Sequence, residues 1–279
     1  MKTVMLTAVA MVAFAANSVL ARLAFATADA EPLSYTGIRL AAGALTLALL
    51  LAVRRQSLRP AGSWSGAAAL FGYAILFSIA YVLLGAGTGA LILFASVQIG
   101  ILGWAIYKGD RPGAVEWLGF VIAVAGLVYL VSPGVVAPHP LGALLMVVAG
   151  LSWAAYTLIG RGSTSPLADT AGNFIRSAPI AIIMIAAGLA MHGVSPTAGL
   201  YAVASGALAS GLGYAVWYAV LPSLSRTRAA IVQLTVPAIA AAGGVLFIGE
   251  ALSPRLVVAT IAIVGGVALA LVTAGRRRG

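Results

Sequence analysis

Phe14-Ala15-Ala16-Asn17-Ser18, followed by Arg22, returns half a chain later as Trp153-Ala154-Ala155-Tyr156-Thr157, followed by Arg161. Three further pairs keep nearly the same offset, 137 to 140 residues in a chain of 279. They are Gly37-Ile38-Arg39 with Phe174-Ile175-Arg176, Tyr107-Lys108-Gly109-Asp110 with Phe247-Ile248-Gly249-Glu250, and Gly126 with Gly266. An offset of half the chain marks an internal duplication. What was duplicated follows from the apolar runs around these motifs.

A helix that crosses the ~30 Å hydrocarbon layer of a bilayer needs about 20 residues. Ten runs meet this length: 3–23, 33–53, 64–84, 88–107, 114–132, 140–160, 170–190, 198–220, 229–249 and 255–274. Short stretches with proline, glycine or charge separate them, among them Asp29/Glu31/Pro32, Gly85-Ala86-Gly87 and Glu250 to Pro254. The predicted fold is an all-α polytopic membrane protein, with a first five-helix unit over 1–135 and a second over 136–279. Five crossings is an odd number, so the second unit enters the bilayer from the opposite side. Arg22 and its counterpart Arg161 accordingly fall on opposite sides. Inverted repeats of this kind underlie many secondary transporters, with the solute site near the midplane between the repeats.

Composition agrees. Hydrophobic residues make up 62% of the chain and charged residues 8%, and mean hydropathy is +1.09. A soluble domain has roughly a quarter of its residues charged, so the solvent here is lipid. The net charge of +10 is spread over short clusters between apolar runs, which are topology signals and not a nucleic-acid-binding face. With the N-terminus inside, the cytoplasmic side holds Lys2, Arg54, Arg55, Arg59, Lys108, Arg111, Arg161, Arg226, Arg228, Arg276, Arg277 and Arg278, and the outer side only Arg22 and Arg255. Trp64, Trp104, Trp117 and Tyr107 also lie near the inner ends of their segments, where amphipathic rings prefer to sit. Both termini are therefore expected in the cytoplasm, and the protein in a bacterial inner membrane. The first run resembles a signal peptide up to Ala24-Phe25-Ala26, but it stays apolar to about Leu23 and has a partner in the second half, so it is read as a retained helix.

A cavity for amphiphilic solutes needs ring surfaces and a few neutral hydrogen-bonding groups at membrane depth. Asn17 lies well inside the first segment, where an amide facing lipid would be costly. Trp153 and Tyr156 share a face of the sixth segment, Phe77, Ser78 and Tyr81 cluster on the third, and Tyr214, Trp217 and Tyr218 on the eighth. Ser96, Gln98 and Gln233 are further polar groups within apolar runs. These twelve residues are the candidate solute cavity; packing between helices is the competing use for each of them.

Arg39 and Arg176 are the two charges inside apolar runs, each under two turns from the start of its segment. Buried charges in lipid are functional by default. At this depth a gate or a helix-end clamp is expected for both, ahead of direct contact with a solute carboxylate. Pro179 and Pro237 each remove one helical hydrogen bond, which makes the seventh and ninth segments candidates for bending or for a static kink.

The six acids, Asp29, Glu31, Asp110, Glu116, Asp169 and Glu250, fall at segment ends or in loops, and His139 and His192 lie outside the segments. Proton- and sodium-driven carriers usually keep an acid within the membrane, so downhill, uncoupled movement is expected. The chain has no cysteine. Without thiols or intramembrane acids, an integral-membrane enzyme lacks its raw material, and no catalytic residue, metal or cofactor is expected. A membrane scaffold remains the other class.

The paired first and sixth segments, the arginines of the second and seventh, Pro237, and Gly249-Glu250 ahead of a glycine-bearing last segment resemble the drug/metabolite transporter superfamily, in particular its ten-helix EamA family, over the whole chain. Gly87-Thr88-Gly89-Ala90-Leu91-Ile92-Leu93-Phe94 to Gln98 is similar to the aromatic amino-acid exporters called YddG. The resemblance implies two five-helix repeats around a central cavity, peripheral fifth and tenth helices, and export of amino acids and related metabolites. Aromatic and apolar amino acids suit the ring-rich lining, and a monomer in the bilayer is the expected state. A proton-coupled exporter of drugs or organic cations is the alternative within the same superfamily.

Overall fold

The computed structural model describes residues 2–55, 61–109, 111–133, 137–161, 163–224, 229 and 232–277, with side chains to residue 273. Expectations placed on Arg59, Asp110, Arg226, Arg228 and Arg278, on the side chains of Arg276 and Arg277, and on the start of the ninth segment lie outside the described residues.

The chain is helical, with α1 Lys2–Thr27, α2 Pro32–Val53, α3 Trp64–Leu83, α4 Ala86–Tyr107 and α5 Ala114–Val131 in its first half. The second half follows with α6 Pro140–Ile159, α7 Pro166–Met191, α8 Pro196–Ser223, α9 Val236–Ile248 and α10 Pro254–Arg277. Among the described residues nine of these are long and apolar enough to cross a membrane, and α9 is the shorter tenth. Local chemistry sets the boundaries. Proline stands at the first turn of α2, α6, α7 and α8, where its missing N–H costs nothing. Glu31 caps α2 by accepting from the amides of Leu33 and Ser34, both at 2.7 Å, and Ser63 caps α3 through Gly66. At the far end of α9, Gly249 takes φ +73° and stops the helix, which turns the chain so that Glu250 faces back into the bundle.

The outside of the bundle is what a soluble protein would bury: Leu45, Ile182, Ile183, Leu246, Phe247 and Ile261 are all exposed. Inside, the packing scheme repeats between the halves. α1 lies against α8 and α9 as α6 lies against α3 and α4, while α2 faces α7 and α4 faces α9. α5 and α10 pack chiefly on each other, with smaller contacts to α4, the peripheral position expected of them. Trp64, Trp104, Tyr107 and Trp117 are exposed at one end of the bundle, with the Lys108 ammonium 4.8 Å from the Trp104 ring centre. That end also holds Asp169; the opposite end holds Glu31 and Glu250.

Two elements differ from a plain reading of ten regular helices. α8 opens into a π-helical stretch over Ser205–Leu212 before returning to α-helix. The ninth segment, expected as a continuous 229–249, breaks at a turn over Leu234–Thr235, so that α9 begins at Val236 with Pro237 in its first turn. Proline fits a helix start and cannot supply the amide that would have joined it to Gln233.

Candidate functional site

Rings singled out in the sequence, joined through Tyr73, form a connected file through the bundle. Tyr81 meets Phe77 edge-on at 4.6 Å between centroids, Phe77 meets Tyr73 at 5.3 Å, and Tyr73 meets Trp153 at 4.8 Å. Trp153 then stacks on Tyr214 at 5.6 Å, and Tyr214 leads to Phe14 at 5.7 Å and to Tyr218 at 6.4 Å. These are the offset and edge-to-face arrangements that aromatic pairs prefer. The helical spacings of three and four residues put Tyr73, Phe77 and Tyr81 on one stripe of α3, and Phe14 beside Asn17 and Ser18 on α1.

At the centre of this file is a cavity walled by Phe14, Asn17, Tyr73, Phe77, Trp153 and Tyr214, with Gln233 beside them. Its free space is about 30 Å³, room for roughly two water molecules. Any solute larger than that requires this conformation to open.

Asn17 is buried, and its amide oxygen accepts from Ser205 Oγ at 2.8 Å and from Ser210 Oγ at 3.2 Å. In an α-helix two residues five apart point about 140° away from each other. The π-helical winding of α8 brings them back to one side, and both hydroxyls then reach the same acceptor on α1. The same stretch presses Gly206 onto the backbone of α2. A Cβ at Gly206 would stand 2.2 Å from the carbonyl oxygen of Arg39, so only glycine allows this approach.

Each end of the file is bridged. At one, Arg22 Nε donates to Glu250 Oε1 at 2.8 Å, and the other oxygen of Glu250 accepts from the amide of Ala86 at 2.7 Å. The Arg22 guanidinium also reaches the carbonyl of Tyr81 at 3.4 Å. One carboxylate thus ties α1, the start of α4 and the end of α9. At the other end the Tyr156 hydroxyl donates to Thr170 Oγ1 at 3.2 Å, and Thr170 meets the Tyr218 hydroxyl at 3.1 Å. Asp169 accepts from the Gly62 amide at 2.7 Å, and the Asn173 side chain accepts from the Ser63 amide at 2.9 Å, which ties the start of α3 to α7.

The two arginines, equivalent in sequence, differ in surroundings. Arg176 is half-buried and donates to the carbonyls of Ala61 at 2.6 Å and Gly172 at 3.2 Å, the geometry of a helix-end clamp. Arg39 is 2% exposed and lies behind the cavity wall, donating through Nη2 to the Tyr73 hydroxyl at 2.9 Å. Its guanidinium carbon stands 4.6 Å from the centre of the Phe77 ring.

Other expected residues stand away from the cavity. Ser96 is buried against Gly150 of α6, and Gln98 is half-buried on α4. Ser78 bonds Thr36 of α2 at 2.7 Å. Trp217 packs on Phe14 at 5.9 Å in the layer next to the wall, and Tyr156 and Tyr218 belong to the bridged end. α7 runs unbroken through Pro179, which is exposed on the lipid side, whereas Pro237 is buried at the start of α9. Phe14, Ser18, Tyr73, Leu93, Phe94 and Val97 are wall residues absent from the candidate cavity drawn from the sequence. Tyr73 was findable, four residues before Phe77 on the same stripe, and Phe94 as a ring in its segment; the aliphatic Leu93 and Val97 have no distinguishing signal in an apolar run.

Comparison with known proteins places this architecture. The chain is 52% identical over 274 residues, covering 97% of it and 94% of the relative, to a protein of Pseudomonas aeruginosa described as "Uncharacterized protein PA1977". It is 30% identical over 174 residues, 59% of this chain and 57% of the relative, to the threonine/homoserine exporter RhtA of Salmonella typhimurium. A crystal structure of 20% identity superposes with a TM-score of 0.66, covering 98% of each chain, and so shares the fold. The sequence profile of the EamA-like transporter family matches twice, over residues 1–132 and again over 140–272, one match for each half of the bundle. The chain belongs to the EamA-like transporter family.

Proposed function

We propose that this transporter exports amino acids, aromatic and other apolar ones foremost, from the cytoplasm by alternating access across the ring-lined cavity. The observation behind this reading is the cavity itself: rings and an amide at membrane depth, between the two halves, with a bridge at either end. A solute with an apolar side chain and a polar backbone end fits such a lining. The threonine/homoserine exporter among the relatives supports amino acids as the substrate class.

In this reading residues 1–135 and 136–279 are the two inverted repeats. Both termini face the cytoplasm of a bacterial inner membrane, and the Glu250 end faces outward. Opening alternates between the Arg22–Glu250 bridge and the Tyr156–Thr170–Tyr218 bridge as the repeats exchange conformations. Movement is downhill. Glu31 and Asp169 are committed to backbone amides at helix ends and Glu250 to Arg22, and none of the three acids lines the cavity.

The test is uptake by proteoliposomes of a panel of amino acids and planar organic cations, repeated with Asn17→Ala and Tyr156→Ala. Saturable amino-acid uptake that falls in both variants is the expected result. Flux of cations alone, or flux unchanged in both variants, would remove the proposed site.

A further inference from the structure

Arg39 is a guanidinium in the core of a membrane bundle, and among the described residues no carboxylate pairs with it. Its surroundings are aromatic: Nη2 meets the Tyr73 hydroxyl at 2.9 Å and the guanidinium carbon lies 5.3 Å from the Tyr73 ring centre and 4.6 Å from that of Phe77, while one of its terminal nitrogens, Nη1, is buried without an acceptor among the described residues. Both of these side chains, Tyr73 and Phe77, are walls of the central cavity. A buried cation left uncompensated is expensive. Its repeat counterpart Arg176 avoids that cost by binding backbone carbonyls; among the described residues Arg39 is seen to bond only the Tyr73 hydroxyl.

The contact with Tyr73 has a direction. Arg39 Nη2 donates and the phenol oxygen accepts, so the Tyr73 hydroxyl proton is left to be given elsewhere. Among the described residues no acceptor takes it. A phenol that accepts from a guanidinium is polarised into a stronger donor, and a chain of such bonds strengthens along its length. Tyr73 is also a wall of the cavity, so a donor backed by a positive charge belongs to its lining, with aromatic surface beside it and no acid among the lining residues.

We infer that Arg39, acting through Tyr73, makes the central cavity a binding site for an anionic group, the carboxylate of the transported solute, and excludes solutes that carry only a cation. Tyr73 contacts the carboxylate; Arg39 is a positioning residue that fixes the direction of the Tyr73 hydroxyl and supplies the charge. This rests on the amino-acid reading above and sharpens it, because it demands the carboxylate and assigns the rings to the side chain.

The experiment compares three amino acids with the amines formed by removing their carboxylates, in counterflow across proteoliposomes. The pairs are phenylalanine with phenethylamine, leucine with isopentylamine, and threonine with 1-amino-2-propanol. Wild type is expected to move the preferred amino acid at least about tenfold faster than its amine, the worth of one hydrogen bond to a charged group. Tyr73→Phe removes one oxygen and is expected to collapse that preference by slowing the amino acid while leaving the amine unchanged. Arg39→Lys should restore part of the preference that Arg39→Gln loses, with thermal unfolding followed in parallel. A fold defect would slow both members of a pair alike, and Tyr73→Phe keeps the test decisive if either Arg39 variant does not fold. Wild type moving amine and amino acid equally, or Tyr73→Phe keeping the full preference, overturns the inference and leaves transport standing. If neither member of any pair moves, the amino-acid reading itself falls, and the carboxylate site falls with it.

Discussion

Arg22 and Glu250, 228 residues apart in sequence, meet at 2.8 Å across the end of α1 and the turn that follows α9. The same carboxylate accepts from the Ala86 amide at the start of α4. Both side chains keep about a fifth to a quarter of their surface exposed, so water screens the pair, and its worth is about 1 kcal/mol. That is enough to shift an open–closed balance about fivefold. Glu250→Gln is therefore expected to open this end more often. The chain has no cysteine, so a single Ser18→Cys placed in the cavity wall reports directly. Membrane-impermeant thiol reagent should label it about fivefold faster in the Glu250→Gln background, and equal rates would show that the pair does not hold this end closed.

Asn17 serves two hydroxyls on the π-helical stretch of α8. Asn17→Ala leaves both without that acceptor in a buried place, a loss of roughly 1–2 kcal/mol. A lowered melting temperature in detergent together with reduced solute flux is expected. Ser205→Ala, which removes one donor and strands nothing on Asn17 while Ser210 remains, should cost less. An Asn17→Ala variant as stable and as active as wild type would separate Asn17 from both packing and the site.

Gly206 touches the Arg39 carbonyl so closely that a methyl group would stand 2.2 Å away. Gly206→Ala should push α8 from α2 and destabilise the fold by about 1–3 kcal/mol, read as a fall in melting temperature. Gly103 and Gly265 have nothing within 4 Å of an added Cβ, and their alanine variants should unfold at or above the wild-type temperature.

Orientation has its own readout. Asp29 and Lys108 are exposed at opposite ends of the bundle. In intact cells stripped of their outer membrane, Asp29→Cys should react with impermeant reagent at once, and Lys108→Cys only after permeabilisation. The reverse order would invert the proposed topology.

Most of the architecture was legible because lipid imposes long apolar runs and prolines and capping residues mark where they start. α2 begins where Glu31-Pro32 says it should, and α6 at Pro140. The half-chain offset of the Phe14 and Trp153 stretches anticipated the repeated packing of α1 and α6. The aromatic part of the site was legible for a related reason, since rings spaced by three and four residues must share a helix face.

The rest depends on contacts between distant segments. Nothing in Ser205-Gly206 to Ser210-Gly211 distinguishes π from α winding; the π stretch is where α8 meets Asn17 on α1 and the backbone of α2. Pro237 reads equally as a kink inside a helix or as the first turn of a new one, and the turn at Leu234–Thr235 decides for the second. Ser96 and Gln98 look like Asn17 in sequence, yet α4 turns Ser96 toward Gly150 of α6. Arg39 and Arg176 are matched in the repeat, and only their neighbours separate a clamp from a charge held behind Tyr73.

Flux in a purified system tests the central claim most directly. Wild-type protein in vesicles with equal pH on both sides and no membrane potential should move amino acids down their own concentration gradient, and Asn17→Ala should slow that movement. Amino-acid flux that requires an imposed pH gradient would contradict uncoupled transport, and no amino-acid flux under either condition would contradict the account as a whole.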